Sequence, residues 1–194
     1  MKILAATAFA ICLIATPATT AEIAHHPQSK GPDIITLSGS IEEGDGAKFP
    51  LVARSAPRAV VVLNSSGGYN EASIFIGRFI RSHKFATAVY AGTACNSGCV
   101  TIWLGGYFRH LDPYARLGVH SAAMVEDRLK RNELGNQMLA EYMRELDVPR
   151  QIIELQPKAW PCCLNYITYN QARAWGLINP EQQTSDVLPS AINP

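Results

Sequence analysis

Leu63-Asn64-Ser65-Ser66-Gly67-Gly68 joins a buried strand to a helix. Ala59 to Leu63 before it is wholly apolar and rich in valine, the mark of a strand covered on both faces. Glu71 to Ser82 after it has helical spacing, with Ala72, Ile76, Phe79 and Ile80 on one face. The two glycines read as a tight turn through which backbone N–H groups can approach a ligand closely. A helix start adds unpaired donors and positive dipole. Such a turn suits an oxyanion or a phosphate, although on its own a Gly-Gly turn is usually only a turn.

The same unit recurs downstream. Phe85 to Ala91 reads as a strand, Gly92-Thr93-Ala94-Cys95-Asn96-Ser97-Gly98-Cys99 as the next turn, and Val100 to Leu104 as an apolar helix closed by Gly105-Gly106. Ala115 to Val119 is a short strand ending at His120. Units spaced by roughly 25–30 residues predict an α/β fold with largely parallel pairing.

Further out, Asp33 to Ile41 is expected as the first strand, Glu42 to Lys48 as a turn and Phe49 to Ser55 as a short helix. Beyond His120, the pattern predicts a long amphipathic helix over Glu126 to Leu146 and a shorter one over Pro149 to Leu155. Cys162 to Tyr169 reads as irregular or extended, and Asn170 to Trp175 as a helix capped by Asn170 and stopped by Gly176. One domain over 33–180 is expected, flanked by a loose N-terminus at 22–32 and a polar tail at 181–194. His25 and His26 fall in the loose segment and read as solvated rather than metal-binding.

The chain has 194 residues, enough for one domain with a sizeable core, and its 47% hydrophobic and 17% charged content is that of a globular protein. Net charge is +1, with no basic cluster interleaved with aromatics, so a nucleic-acid partner is not expected. Lys2, the apolar run Ile3 to Ala15 and the small-residue stretch Thr16 to Ala21 form the layout of a secretory signal peptide, with cleavage expected after Ala21 or Ala18. The run is too short for a typical membrane span, so no stable membrane anchor is expected after processing. A periplasmic or secreted protein follows.

Cys12 would leave with the leader, and Cys95, Cys99, Cys162 and Cys163 remain, an even number in an oxidising compartment. Adjacent Cys162 and Cys163 fit disulfide geometry poorly. Cys95 and Cys99 at helical spacing would hold their β-carbons about 5–6 Å apart, too far to bond. Cross-pairing between the two pairs is therefore expected. One such bond closes a loop of roughly 65 residues, worth about 4 kcal/mol on the chain-entropy argument. CxxxC with CC is poor spacing for zinc, so no metal site is expected, and nothing calls for a cofactor.

Taken singly, Ser97 reads as a helix N-cap and His120 as a structural histidine. Together with the glycine turn they resemble the proteolytic subunit of Clp protease, within the ClpP/crotonase superfamily. Leu63 to Gly68 resembles that family's oxyanion turn, with Ser66 where proline is usual. Ser97 follows Gly68 by 29 residues and His120 follows Ser97 by 23, close to the family intervals. Gly92-Thr93-Ala94 resembles the lead-in to the family nucleophile. Ile34 to Gly39 resembles the first sheet strand, and Trp175-Gly176-Leu177-Ile178-Asn179 the closing segment. The likeness covers about residues 33–180 and is stronger in spacing than in identity.

The resemblance implies a ClpP/crotonase-like spiral of strand-turn-helix units with a C-terminal helical segment. It implies Ser97 as nucleophile, His120 as base, and the N–H groups of Gly68 and Gly98 as oxyanion donors. The substrate would be a peptide or another acyl compound, and the assembly a homo-oligomer using the helix over Glu126 to Leu146. The family's third catalytic position falls near Leu164-Asn165, which offers no acid. Asn165 is placed to orient His120, and Asp112 and Glu154 are possible substitutes. Two main readings follow: an exported serine hydrolase, or a non-catalytic binding or assembly protein of the same fold. Enolate chemistry on an acyl thioester would want paired glutamates at the two turns, which are absent. A thiol-exchange role would want CxxC, also absent.

Overall fold

The computed structural model describes residues 20–178. The expected leader therefore lies outside the described residues except for Thr20 and Ala21, as do Cys12, Asn179 and the tail at 181–194. The elements run β1 (Glu22–His26), β2 (Asp33–Ile41), α1 (Asp45–Ala53), β3 (Ala59–Gly68), α2 (Asn70–Ser82), β4 (Ala86–Val89), β5 (Cys95–Asn96), α3 (Gly98–Leu104), β6 (Arg109–Leu111), β7 (Arg116–Val119), α4 (Glu133–Glu145), α5 (Arg150–Leu155), β8 (Asn165–Thr168) and α6 (Tyr169–Ala174).

The strands form one sheet ordered β1-β2-β3-β5-β7-β8, with β4 and β6 branching from β3. Pairing is parallel from β2 through β7 and in the branch, and antiparallel only at the two ends, β1 on β2 and β8 on β7. This is the α/β architecture expected from the repeated units, and the C-terminal helical segment follows it. Strand β3 divides its partners: Val60–Val62 pair with β4, and Ser65 pairs with Cys95 of β5. Ile35, Leu37, Val61, Leu63, Ile76, Ile80, Ile102 and Trp103 are fully buried in the main core. Of the four residues expected on the core face of α2, Ala72, Ile76 and Ile80 are buried and Phe79 packs against the core half-buried.

Four local expectations are corrected. Residues 22–26 are a strand rather than a loose start. Ala21 and Ile23 alternate inward into the core, Lys48 Nζ donates to the Ala21 carbonyl at 2.8 Å, and His25 Nε2 pairs with Asp33 at 2.8 Å. Asn64 to Gly68 does not turn, because β3 runs on through Gly68 alongside Ser40 and Ile41 of β2. The first helix begins at Asp45 rather than Phe49, with the Asp45 carboxylate accepting from the Glu42 N–H at 2.8 Å.

The long helix begins at Glu133 rather than Glu126. Asn132 caps it, accepting from the Gly135 N–H at 2.9 Å. Asp127 diverts the chain upstream by accepting from the Leu129 N–H at 3.0 Å, and Ala123 bridges Arg131. Short polar side chains offer the backbone these local alternatives to a helix.

Candidate active site

Ser97 stands at the junction of β5 and α3. Its φ of 53° and ψ of −123° are sparsely populated for a residue with a β-carbon. Holding such a conformation costs about 1–3 kcal/mol, which the surroundings must offset. They do so by backbone pairing on both sides: the Ser97 N–H donates to the Gly118 carbonyl of β7 at 2.7 Å, and the Val100 N–H returns to the Ser97 carbonyl at 2.9 Å. Such a sharp strand-to-helix turn lifts a side chain clear of both elements.

Cys95 and Cys99 bracket this turn and are disulfide-bonded, with Cα atoms 5.1 Å apart. Cross-pairing with Cys162 and Cys163 is thereby corrected, since both of those are free and exposed. The expectation failed on its premise. Cys95 lies in β5, not in a helix, and the reversal at Ser97 folds Cys99 back toward it. The bonded thiols have no nucleophilic role.

The glycines expected as oxyanion donors sit beneath Ser97. A β-carbon on Gly98 would stand 3.3 Å from the Gly68 nitrogen, so the two N–H-bearing residues are neighbours. Gly68 itself admits no side chain, because a β-carbon there would meet the Ile41 carbonyl oxygen at 1.9 Å. Gly67, not expected as a donor, fits as tightly: a β-carbon would lie 2.5 Å from the Asn96 carbonyl oxygen and 2.6 Å from Ser97 Cβ.

His120 follows the last residue of β7, and it lines one cleft with Ser97, Val119, Leu139, Met143 and Gln156. The free volume is about 10 Å³, room for about one water. His120 is the only titratable residue lining it. No hydrogen bond joins Ser97 to His120 among the described residues. Such bonds are often long before substrate binds.

His120 Nδ1 lies 2.7 Å from the Ser121 carbonyl oxygen. A carbonyl only accepts, so in the neutral ring Nδ1 carries the proton and Nε2 has the lone pair, the tautomer a general base requires. Asn165 was expected in the orienting role. It pairs across the sheet with Val119, the residue before His120, and no hydrogen bond joins its side chain to His120 among the described residues. The two alternative acids are also engaged elsewhere: Asp112 accepts from the Tyr114 N–H at 2.8 Å, and Glu154 is paired with Arg150.

A buried polar network holds the chain from the His120 carbonyl to Ala122. Gln156 Nε2 donates to the His120 carbonyl at 2.6 Å and to Asn136 Oδ1 at 3.3 Å. Asn136 Oδ1 also accepts from the Ala122 N–H at 2.7 Å, and Asn136 Nδ2 donates to Ser121 Oγ at 2.9 Å. Ser121, Asn136 and Gln156 are all buried. The sequence reading missed this set. The signal was an asparagine at a core-facing position of a helix, which needs partners when buried.

No family model matches the chain, and no curated protein matches it. Solved structures share the fold. A serine-to-alanine variant of the 1510-N membrane-bound stomatin-specific protease superposes with a TM-score of 0.55 at 16% identity, covering 74% of this chain and 75% of its own. ClpP1 from Listeria monocytogenes gives 0.54 at 18% identity, covering 75% and 88%. The ClpP protease catalytic domain from Plasmodium falciparum gives 0.57 at 16% identity, covering 75% and 82%. The fold is therefore that of the Clp-protease type.

Proposed function

We propose that this chain is an exported serine hydrolase acting on peptides, with Ser97 as nucleophile and His120 as base. The observation that carries the reading is Ser97 itself: a serine held in a left-handed strand-to-helix turn, over tightly packed glycines, beside a histidine whose Nε2 is free to accept. Ser97 Oγ attacks the scissile carbonyl and its proton passes to His120 Nε2. The N–H groups of Gly68 and Gly98 take the developing negative charge, and loss of one such donor typically costs about 10²–10³ in rate. Among the described residues no carboxylate backs His120, so the imidazolium has only the Ser121 carbonyl dipole there, and turnover is slow relative to a full triad. Solved neighbours of this fold are proteases, and one was determined with a substrate peptide; that chemistry is carried here as part of the proposal.

Export belongs to the same proposal. The described chain starts in the sheet, with Thr20 bridged to Ser40 and Ala21 buried. Cleavage after Ala18 leaves both in place, which favours it over cleavage after Ala21. No helix among the described residues is long and apolar enough to cross a membrane. Assembly into a homo-oligomer through α4 is carried from the resemblance, and sedimentation velocity tests it.

The test of catalysis is fluorophosphonate labelling of the oxidised protein, with peptide mapping and a Ser97→Ala control. An adduct confined to Ser97 is expected. A folded protein that takes no label moves the reading to a binding protein of the same fold. The lack of an acid at His120 among the described residues and the small cleft favour that second reading.

A further inference from the structure

The segment from Ala159 to Asn165 touches the chain on both sides of His120. At one end the Ala159 carbonyl accepts from the Ser121 N–H at 3.0 Å. At the other, Asn165 begins β8 and pairs with Val119. Between these two anchors the chain reverses, with the Cys163 N–H donating to the Trp160 carbonyl at 2.9 Å. Cys162 and Cys163 sit at that reversal, exposed, with their sulfurs 2.7 Å apart. The contact with Cys162 pushes the Cys163 thiol up from its ordinary value.

We infer that Cys162 and Cys163 are a redox-active vicinal dithiol, a modification site for small-molecule disulfides, and that its closure displaces His120. The modification stands on geometry alone, while its effect on catalysis rests on the proposed Ser97–His120 chemistry. In the step, both S–H bonds break and one S–S bond forms between the two cysteines. The two electrons and two protons pass to a small disulfide such as oxidised glutathione, which leaves as two thiols. Attack by one thiolate gives a mixed disulfide, and the adjacent sulfur resolves it.

Adjacent Cα atoms are about 3.8 Å apart across a trans peptide. Unstrained disulfides hold theirs about 4.4–6.8 Å apart. A closed pair is therefore strained, and strained, exposed disulfides are the readily reducible, regulatory kind. The open form is the one in which both anchors are intact. Closing the ring distorts the reversal between them, so the backbone at Val119 and Ser121 moves, and the Ser121 carbonyl that fixes His120 moves with it.

The experiment equilibrates the full oxidised protein with reduced and oxidised glutathione in varied ratio, then alkylates and digests with trypsin. The peptide of residues 159–173 is expected to lose two hydrogens and two alkylation sites together as oxidant rises. In parallel, fluorophosphonate labelling of Ser97 is timed, and the His120 imidazole resonance is followed by NMR. Closure is expected to slow labelling about fivefold and to shift the resonance, with neither response in a Cys162→Ser, Cys163→Ser double variant. Two free thiols in excess oxidant, a trapped glutathione adduct or a covalent dimer would each overturn the modification. Closure that leaves both the labelling rate and the resonance unchanged would overturn the coupling. If Ser97 takes no label in either state, the proposed hydrolase fails instead, and the mass and the resonance still decide this inference.

Discussion

Two serine–histidine pairs lie at opposite ends of the parallel strands, and the one with better hydrogen bonds is the poorer candidate for catalysis. At the strand starts, Ser55 Oγ lies 3.2 Å from His25 Nδ1, and His25 Nε2 lies 2.8 Å from Asp33. A serine, a histidine and an acid are thus joined in sequence. Asp33 also accepts from the Gln28 N–H at 2.8 Å. At the strand ends, Ser97 and His120 share a cleft that has, among the described residues, no hydrogen bond between them and no acid. Yet Ser97 has the left-handed backbone and Ser55 does not, and only Ser97 sits over packed glycines.

The difference lies in the backbone. A chain of side-chain hydrogen bonds is easily made on a surface and here fastens β1 to β2 and to the end of α1. A strained turn packed against glycines is costly, and it stands where parallel α/β sheets place their ligands, outside the carboxyl ends of the strands.

Fluorophosphonate is the largest lever on this comparison. Ser97→Ala is expected to cut labelling by at least about 10³-fold, and Ser55→Ala to leave it unchanged. An adduct mapped to Ser55 would reverse the two assignments. Gly67→Ala drives a β-carbon into the Ser97 turn, and labelling should fall about 10²-fold while circular dichroism shows a folded protein. Wild-type labelling in that variant would mean the turn is not what activates Ser97.

Gln156→Ala leaves the His120 carbonyl without its donor. A loss of about 1–3 kcal/mol in denaturant unfolding is expected, together with about tenfold slower labelling, since the base is freed to wander. A stability loss with no change in labelling would show that the network serves packing alone.

The smallest effect belongs to the other pair. The Gln28 N–H and then His25 hold the Asp33 carboxyl below its ordinary value. A depressed carboxyl stabilises the fold above its unfolded pKa of about 3.9 and loses that contribution as pH falls through the folded value. Asp33→Asn should therefore unfold more readily near neutral pH, by less than about 1 kcal/mol, and match the wild type once the wild-type Asp33 carboxyl is protonated in the folded and unfolded states. Ser97 labelling should not change.

The sequence made the parallel core legible because each unit carried two agreeing signals: an apolar strand and glycines ahead of the following helix. The intervals pointed to Ser97, His120, Gly68 and Gly98, and the fold brings Ser97 and His120 to one cleft and Gly68 beside Gly98. What was not legible depended on contacts distant in sequence. The strand at Glu22–His26 looked polar because only Ala21 and Ile23 face the core. The Cys95–Cys99 bond was hidden by treating both residues as helical, when one backbone reversal at Ser97 joins them. The orienting carbonyl of Ser121 has no side-chain signature at all, and the set behind it comes from three separate segments.

Strand β3 carries one further consequence. It is the only strand in the described sheet that bonds to three others, β2 along one edge and β4 and β5 in succession along the other. Amide hydrogens exchange with solvent at the rate of the smallest opening that exposes them. Val60 to Val62 are paired along both edges, at the centre of the sheet, so their exchange should report opening of the whole domain. Because the same strand continues unbroken to Gly68, the floor beneath Ser97 inherits that protection. The far ends of the sheet, β1 and β8, can breathe without loosening it.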